Sequence, residues 1–339
     1  MRHASSQTAE TSSSAFSSFS WTIPQDHAAP PQIDLEANYS LPDTEDGIRE
    51  RFLIHHDVVP RASCWAFLPD KRYFVRGGFR DGSIIYGGTA HETAGIIEHA
   101  HAATVSAVAV SPDSARVLPG ILPSTTSSGL LLLSGALDGS VGVWAAIDAE
   151  WNKFISVAQW HLHLGAVRCL DFEAQAGVAL SAAEDGYVHV YRLRPPIRPI
   201  RSFRFQDGSP VCEARFASKS PASIVACSKG SRTSGGSICV WAMQGFMLAK
   251  LDLPTSVLAR GLRVLSEGVD AQEGLLFSTS DGHVELRSLP YLRLVWRKEC
   301  HGGLWPCATD ISPARKMVWL GHTNGSFEVL CSDLSRLQE

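Results

Sequence analysis

Asp138-Gly139-Ser-Val-Gly-Val-Trp144 and, 47 residues on, Asp185-Gly186-Tyr-Val-His-Val-Tyr191 are the stretches that decide the fold. In each, an apolar run ends in a turn dipeptide and an alternating apolar segment follows. Asp-Gly and Asn-Gly tolerate positive φ and are expected to form the primed turns that match strand twist, while alternation with period 2 makes a half-buried strand. Each stretch is therefore a β-hairpin. Four more units repeat the pattern: Asp81-Gly82-Ser-Ile-Ile-Tyr86, Gly235-Gly236-Ser-Ile-Cys-Val-Trp241, Asp281-Gly282-His-Val-Glu-Leu286 and Asn324-Gly325-Ser-Phe-Glu-Val-Leu330. The successive spacings are 57, 47, 50, 46 and 43 residues.

Working outward, a further strand precedes the hairpins, at Val105 to Val110, Val167 to Phe172, Val211 to Phe216 and Pro306 to Ile311, and another follows, as at Phe154 to Trp160. Four short strands in each unit of roughly 45 residues make the blade of a β-propeller. The reading is all-β: six recognisable blades over residues 51–335, with room for a partial seventh, after a Ser- and Pro-rich leader over 1–50 that holds a remnant strand near 16–23. The long first spacing comes from a Pro/Ser/Gly-rich insertion, Leu118 to Gly129, which reads as a surface loop. The last unit runs out after three strands, and Arg51-Phe-Leu-Ile-His55 is expected to supply the fourth and close the ring.

Composition narrows the function classes. The chain has 339 residues, 45% apolar and 19% charged, with 34 acids against 30 bases. That is enough apolar material for packed cores and no basic excess for binding nucleic acid through bulk charge. The apolar stretches, such as Leu130 to Leu133, are far shorter than the roughly 18 residues of a membrane span. The first twenty residues carry one base, Arg2, and lack the apolar region of a secretory signal. The eight cysteines form no C-x-x-C pair and mostly lie in apolar runs, so a cytoplasmic location with buried thiols is expected.

His101, Ser134, Asp138 and Trp144 fall in order within one unit, and His163, Ser181, Asp185 and Tyr191 fall at matching places in the next. This resembles the hydrogen-bonded set of WD-repeat proteins, which ties the outer loop of a blade to its inner hairpin. The likeness decays elsewhere: Gly235 stands in place of the Asp, and Arg287 and Leu330 in place of the aromatic.

Cys64-Trp-Ala-Phe-Leu-Pro-Asp-Lys-Arg-Tyr-Phe-Val-Arg-Gly-Gly-Phe-Arg-Asp-Gly-Ser-Ile-Ile-Tyr86 is similar to a leading blade of the C-terminal propeller of BEACH-domain proteins, the neurobeachin and lysosomal-trafficking-regulator group. Gly236 to Leu251, Thr279 to Leu294, Ala308 to Pro313 and Phe19 to Pro24 extend the likeness over most of the chain. The resemblance implies a non-enzymatic scaffold that docks other proteins in vesicle trafficking or membrane-associated signalling, with protein kinase anchoring in some members and peripheral attachment to endomembranes. The BEACH domain that precedes the family's propeller is absent, which is expected of a C-terminal piece or a reduced relative. The alternative is a generic WD-repeat adaptor, such as a ubiquitin-ligase substrate receptor or a subunit of an RNA-processing complex.

Catalytic signatures are missing: there is no G-x-S-x-G, H-E-x-x-H or Walker loop. His99-x-His101 and His161-x-His163 each place two imidazoles on one strand face, but no Cys or carboxylate completes a metal shell, and no metal or other cofactor is expected. The candidate partner surface is the arginine-rich segment holding Arg192, Arg194, Arg198, Arg201 and Arg204, read as an extended, proline-stiffened loop suited to an acidic protein or an anionic headgroup. Trp151, Trp160 and Trp305 lie near blade ends, where burial between blades competes with a role as binding anchors.

Overall fold

A computed structural model of the chain describes residues 16–20, 64–67, 73–77, 81–88, 95–111, 130–146, 153–173, 176–193, 196–217, 222–230, 234–265, 273–300, 306–312, 317–322 and 327–332. Among these residues every element is a strand, and the strands form six four-stranded sheets in which all pairing is antiparallel. Sheet I holds β2 (Trp65–Phe67), β3 (Tyr73–Arg76), β4 (Ile84–Gly88) and β5 (Gly95–Ile97). Sheet II holds β6 (Val105–Val110), β7 (Leu131–Ala136), β8 (Ser140–Ala146) and β9 (Phe154–His161). Sheet III runs through β10 (Val167–Glu173), β11 (Val178–Ala183), β12 (Tyr187–Arg192) and β13 (Arg198–Arg204). Sheet IV is made of β14 (Val211–Ala217), β15 (Ser223–Ser228), β16 (Ser237–Ala242) and β17 (Met247–Asp252). Sheet V is made of β18 (Ala259–Leu265), β19 (Gly274–Thr279), β20 (His283–Ser288) and β21 (Arg293–Glu299).

Sheet VI is the exception to sequence order. Its strands β22 (Pro306–Ser312), β23 (Met317–His322) and β24 (Phe327–Ser332) are completed by β1 (Phe16–Ser20), with Phe16 opposite Ser332 and Ser20 opposite Glu328. The fourth strand is therefore Phe16–Ser20 and not the 51–55 segment that the sequence suggests, which lies outside the described residues. Both segments carry the apolar residues of a short strand, so pattern alone does not choose between them. No seventh sheet is found among the described residues.

The first strands of successive sheets are neighbours, and the fourth strands β9, β13, β17 and β21 face outward with half or more of their residues accessible. The second strands β7, β11, β15 and β19 are buried throughout, because each is covered on both faces by adjoining sheets. That explains their composition: Leu, Val, Ile and Phe interleaved with Ala, Ser and Gly that let the sheets approach. The core is accordingly divided into layers between sheets. Leu133 and Val143 of sheet II meet Val167 and Leu170 of sheet III, Val190 and Phe203 of sheet III meet Ile224 and Trp241 of sheet IV, and Val240 of sheet IV meets Leu262 and Phe277 of sheet V.

The turns differ from the two-residue primed form read from the sequence. The β7–β8 and β11–β12 connections have three residues, only the glycine has positive φ (Gly139 +86°, Gly186 +83°), and Gly139 N–H donates to Ala136 O at 3.1 Å. This is the three-residue hairpin with a left-handed glycine closing it. In sheet IV the connection spans 229–236, so Gly235-Gly236 is the end of a longer loop and not its turn. A Cβ on Gly235 would lie 2.0 Å from Pro254 O, and this close approach of backbone explains why no aspartate stands there. Gly139→Ala is expected to cost about 1–3 kcal/mol, since the residue is left-handed and its Cβ would lie 2.2 Å from His163 O. A urea melt indistinguishable from that of the parent chain would contradict this.

Candidate functional site

The polar side chains form two relays, one in sheet II and one in sheet III, each bridging the connection that enters a sheet and the hairpin inside it. In sheet II, Trp144 Nε1–H donates to Ser134 Oγ at 2.7 Å, and Ser134 Oγ meets His101 Nε2 at 2.7 Å. His101 Nδ1 lies 2.6 Å from Ser140 Oγ, which donates to Asp138 Oδ1 at 2.6 Å. The relay satisfies every atom when Ser134 O–H donates to Nε2 and Nδ1–H donates to Ser140, which requires a neutral imidazole. Burial enforces that state and lowers the His101 pKa to about 4, against a weaker upward pull from Asp138. Ser140 is a relay member that sequence reading missed, since it places a hydroxyl between the imidazole and the carboxylate.

Sheet III makes the same link directly. His163, fully buried, has Nε2 2.7 Å from Ser181 Oγ and Nδ1 3.1 and 3.2 Å from the two oxygens of Asp185. Ser181 Oγ meets the Tyr191 hydroxyl at 2.8 Å. Asp185 also accepts the backbone N–H groups of Leu164 and Tyr187 at 2.9 and 3.0 Å. Burial pushes its pKa up, but the hydrogen bonds from His163 and Tyr187 outweigh that and hold it below the usual carboxylate value. Burial also raises the Tyr191 hydroxyl to about 12.

Sheet V keeps the turn and replaces the relay. Thr279 Oγ1 donates to Asp281, and Arg287 donates to Glu285 Oε2 at 2.8 Å and to Leu292 O at 2.9 Å. An ion pair thus fills the space of the missing aromatic. Gly282 is left-handed like Gly82, Gly139 and Gly186; Asp81 Oδ1 accepts Ser83 N–H at 3.0 Å; Asn324 and Gly325 lie outside the described residues.

His189 is a further residue that the sequence did not single out. Its ring lies 4.4 Å from that of His163, and together with Asp185 the two offer ligand atoms within 4.8 Å of one another. The positions are already engaged: Nδ1 of His189 meets Ser202 Oγ at 2.7 Å, a backbone hydrogen bond with Leu162 supports the ring, and both nitrogens of His163 have partners. Burial, helped by His163, lowers the His189 pKa to about 4. A cation here would have to displace several of these bonds, so the donor set suits a structural relay better than a metal shell.

These shifts set the acid response. A histidine whose folded pKa is depressed takes up its proton on unfolding, so stability is full above about 6.5 and is lost as pH falls toward 4. Asp138 and Asp185, also depressed, add their loss below the ordinary carboxylate value. We expect the unfolding free energy from urea melts to fall steadily between pH 6.5 and 4, by up to about 1.4 kcal/mol per pH unit for each of His101 and His189. A midpoint that stays flat over this interval would refute the neutral-imidazole assignment.

The arginine-rich segment is not a loop. Arg192 ends β12, Arg198 to Arg204 form β13, and Arg194 lies outside the described residues. The third strand of a sheet leaves an unpaired edge, and β13 covers it despite Pro199. Trp160 on β9 is partly buried and stacks on Tyr191 with centroids 4.6 Å apart, whereas Trp151 and Trp305 lie outside the described residues. The six cysteines whose side chains are described are free and buried or half-buried. No helix among the described residues is long and apolar enough to cross a membrane.

Comparison with known proteins agrees with this geometry. Residues 95–145, from β5 through β8 and including the first relay, match the family described as WD domain, G-beta repeat. A stretch of 93 residues is 27% identical to Protein ROOT INITIATION DEFECTIVE 3 of Arabidopsis thaliana; it makes up 27% of this chain and spans only 19% of that protein. Among solved structures, the WD40 β-propeller domain of Doa1 superposes with a TM-score of 0.56 at 15% identity, over 80% of this chain and 79% of that one. The computationally designed Ika8 protein gives 0.54 at 19% identity, over 80% and 73%. At such identities the likeness concerns architecture alone. By its repeat, its relays and its sheet order, the chain folds as a WD40-repeat β-propeller.

Proposed function

We propose that the protein is a non-enzymatic interaction scaffold that holds other proteins on surfaces fixed by its sheets. One observation carries this reading: the buried titratable groups of the site satisfy one another in relays that pin loops to hairpins, and so serve presentation of a surface. WD40 propellers typically bind other proteins, and a rigid sheet framework holds its connections at low conformational cost. The finer assignment is to membrane trafficking or membrane-associated signalling, with peripheral attachment to endomembranes and kinase anchoring as its further features. It rests on the resemblance of Cys64 to Tyr86 and Gly236 to Leu251 to the BEACH-protein propeller. A generic WD40 adaptor role draws equal support from the repeat match over 95–145.

Proximity labelling with the full chain in cells separates the two. The trafficking reading expects vesicle-coat, endosomal and kinase-associated proteins among the labelled partners. Partners drawn from nuclear RNA-processing or ubiquitin-ligase assemblies would overturn it in favour of the adaptor.

A further inference from the structure

Resting on the scaffold reading, we propose that the groove between the outer strands of sheets III and IV docks an extended, acidic segment of a partner protein. The groove is a cavity of about 500 Å³ whose lining includes Arg204, Phe205, Cys239, Trp241, Met247 and Lys250. Its floor is apolar and rigid, because Phe205 and Trp241 are buried and meet edge to face with centroids 5.2 Å apart. Beside it, where the connection leads into β17, Phe246 and Met247 are 57% and 43% exposed.

The charges beside this apolar floor are unbalanced. Arg198, Arg201 and Arg204 are all exposed on β13, and among the described residues none has a carboxylate within 4.0 Å. Two acids stand against them: Asp207, which also lines the groove and accepts the N–H and O–H of Ser209, and Asp252, which holds Lys250 at 2.7 Å, so the bases Arg198, Arg201, Arg204 and Lys250 remain in excess. Arg201 reaches across to sheet IV, where Nη1 donates to Gln244 O at 2.7 Å over Gly245, whose missing side chain leaves the space. One of its five N–H donors is used there and the guanidinium is held in place. Arg204, at the groove's end, is paired with Tyr187 and its guanidinium lies over that ring at 5.0 Å, on the face opposite Phe203, so Arg198 and Arg201 are the arginines whose strand positions face sheet IV.

Shape decides the class of occupant. From Arg198 to Arg204 the strand runs for about 20 Å at roughly 3.3 Å per residue, which suits carboxylates spread along an extended segment better than a single phosphate headgroup. β13 is also the last strand of its sheet, so its outer backbone groups are open to a strand laid alongside. Arginine and proline on an edge strand also deter unwanted pairing. That role explains the charge on the edge but not the apolar groove beside it or the arginine fixed across it.

The test pans a displayed library of random twelve-residue peptides on the full chain and measures the selected peptides by fluorescence anisotropy. The expected winners combine Asp or Glu with apolar residues. Their affinity should fall at least about tenfold in the Arg198→Glu/Arg201→Glu double variant and in Met247→Glu. It should also weaken as salt is raised, and remain unchanged in Leu164→Glu, which alters a 94% exposed residue on the β9–β10 connection. All variants are surface changes, and unchanged melting curves show that they fold. Winners without acids, or acidic winners unaffected by the arginine and methionine variants, overturn the groove. Peptides lost only in Leu164→Glu overturn it while leaving the scaffold reading in place. Failure to enrich any peptide, or binding of phosphatidylserine vesicles through the same arginines in its stead, also overturns it, and proximity labelling then judges the scaffold reading separately.

Discussion

Asp185→Ala is expected to lower the unfolding free energy by roughly 2–4 kcal/mol, among the largest effects of any single polar substitution in the chain. The side chain is only 8% exposed and accepts from His163, Leu164 N–H and Tyr187 N–H, so its removal leaves three donors without a partner, one of them on a fully buried imidazole. The corresponding Asp138→Ala in sheet II should cost less, about 1 kcal/mol, because Ser140 stands between carboxylate and imidazole and still receives the His101 proton. Urea melts of the two variants at pH 7 check the order. Equal losses would mean that the hydroxyl in sheet II contributes nothing to its relay. Ser140 is read as an ordinary strand residue in the sequence. Its role appears only when the β7–β8 hairpin folds over the His101 connection.

Deleting residues 1–20 should cost about 3 kcal/mol or more and make the protein prone to aggregate. β1 is the fourth strand of sheet VI, paired with β24 over five residues from Phe16–Ser332 to Ser20–Glu328. Its loss removes a handful of ladder hydrogen bonds at about 1 kcal/mol each. It also bares the edge of β24, and an uncovered edge pairs with other chains. A melt of the shortened chain at lower midpoint, with concentration-dependent light scattering, is the expected result. If the deletion leaves both unchanged, β1 does not close the sheet. Removing 51–55 is a useful comparison, since that segment also carries the apolar residues of a short strand.

Much of the architecture is legible in the residues. The Asp-Gly spacing near 47 gives the repeat, and alternation after each turn gives the strands. The buried composition of β7 and β11 follows from their place between neighbouring sheets. The misreadings have local causes. Arg198 to Arg204 looks like a loop because proline and exposed arginine are both unfavourable inside a sheet, yet both are tolerated on an outermost strand whose edge faces solvent. The turns look primed because Asp-Gly is compatible with several hairpin types, and the extra residue before the pair is visible only once the strand register is known.

The sequence by itself determined the all-β repeat, the absence of a catalytic signature and the residues able to form the relays, since period, turn chemistry and side-chain type are local properties. Tertiary structure alone decided which N-terminal segment completes the last sheet, that Ser140 and His189 join the polar clusters, and that Arg198 and Arg201 on one outer strand flank a groove floored by Phe205 and Trp241. The physical reason is that each depends on contacts between units distant in the chain. A repeat fixes what every unit looks like, whereas the fit between one unit and the next depends on side chains that the repeat leaves free.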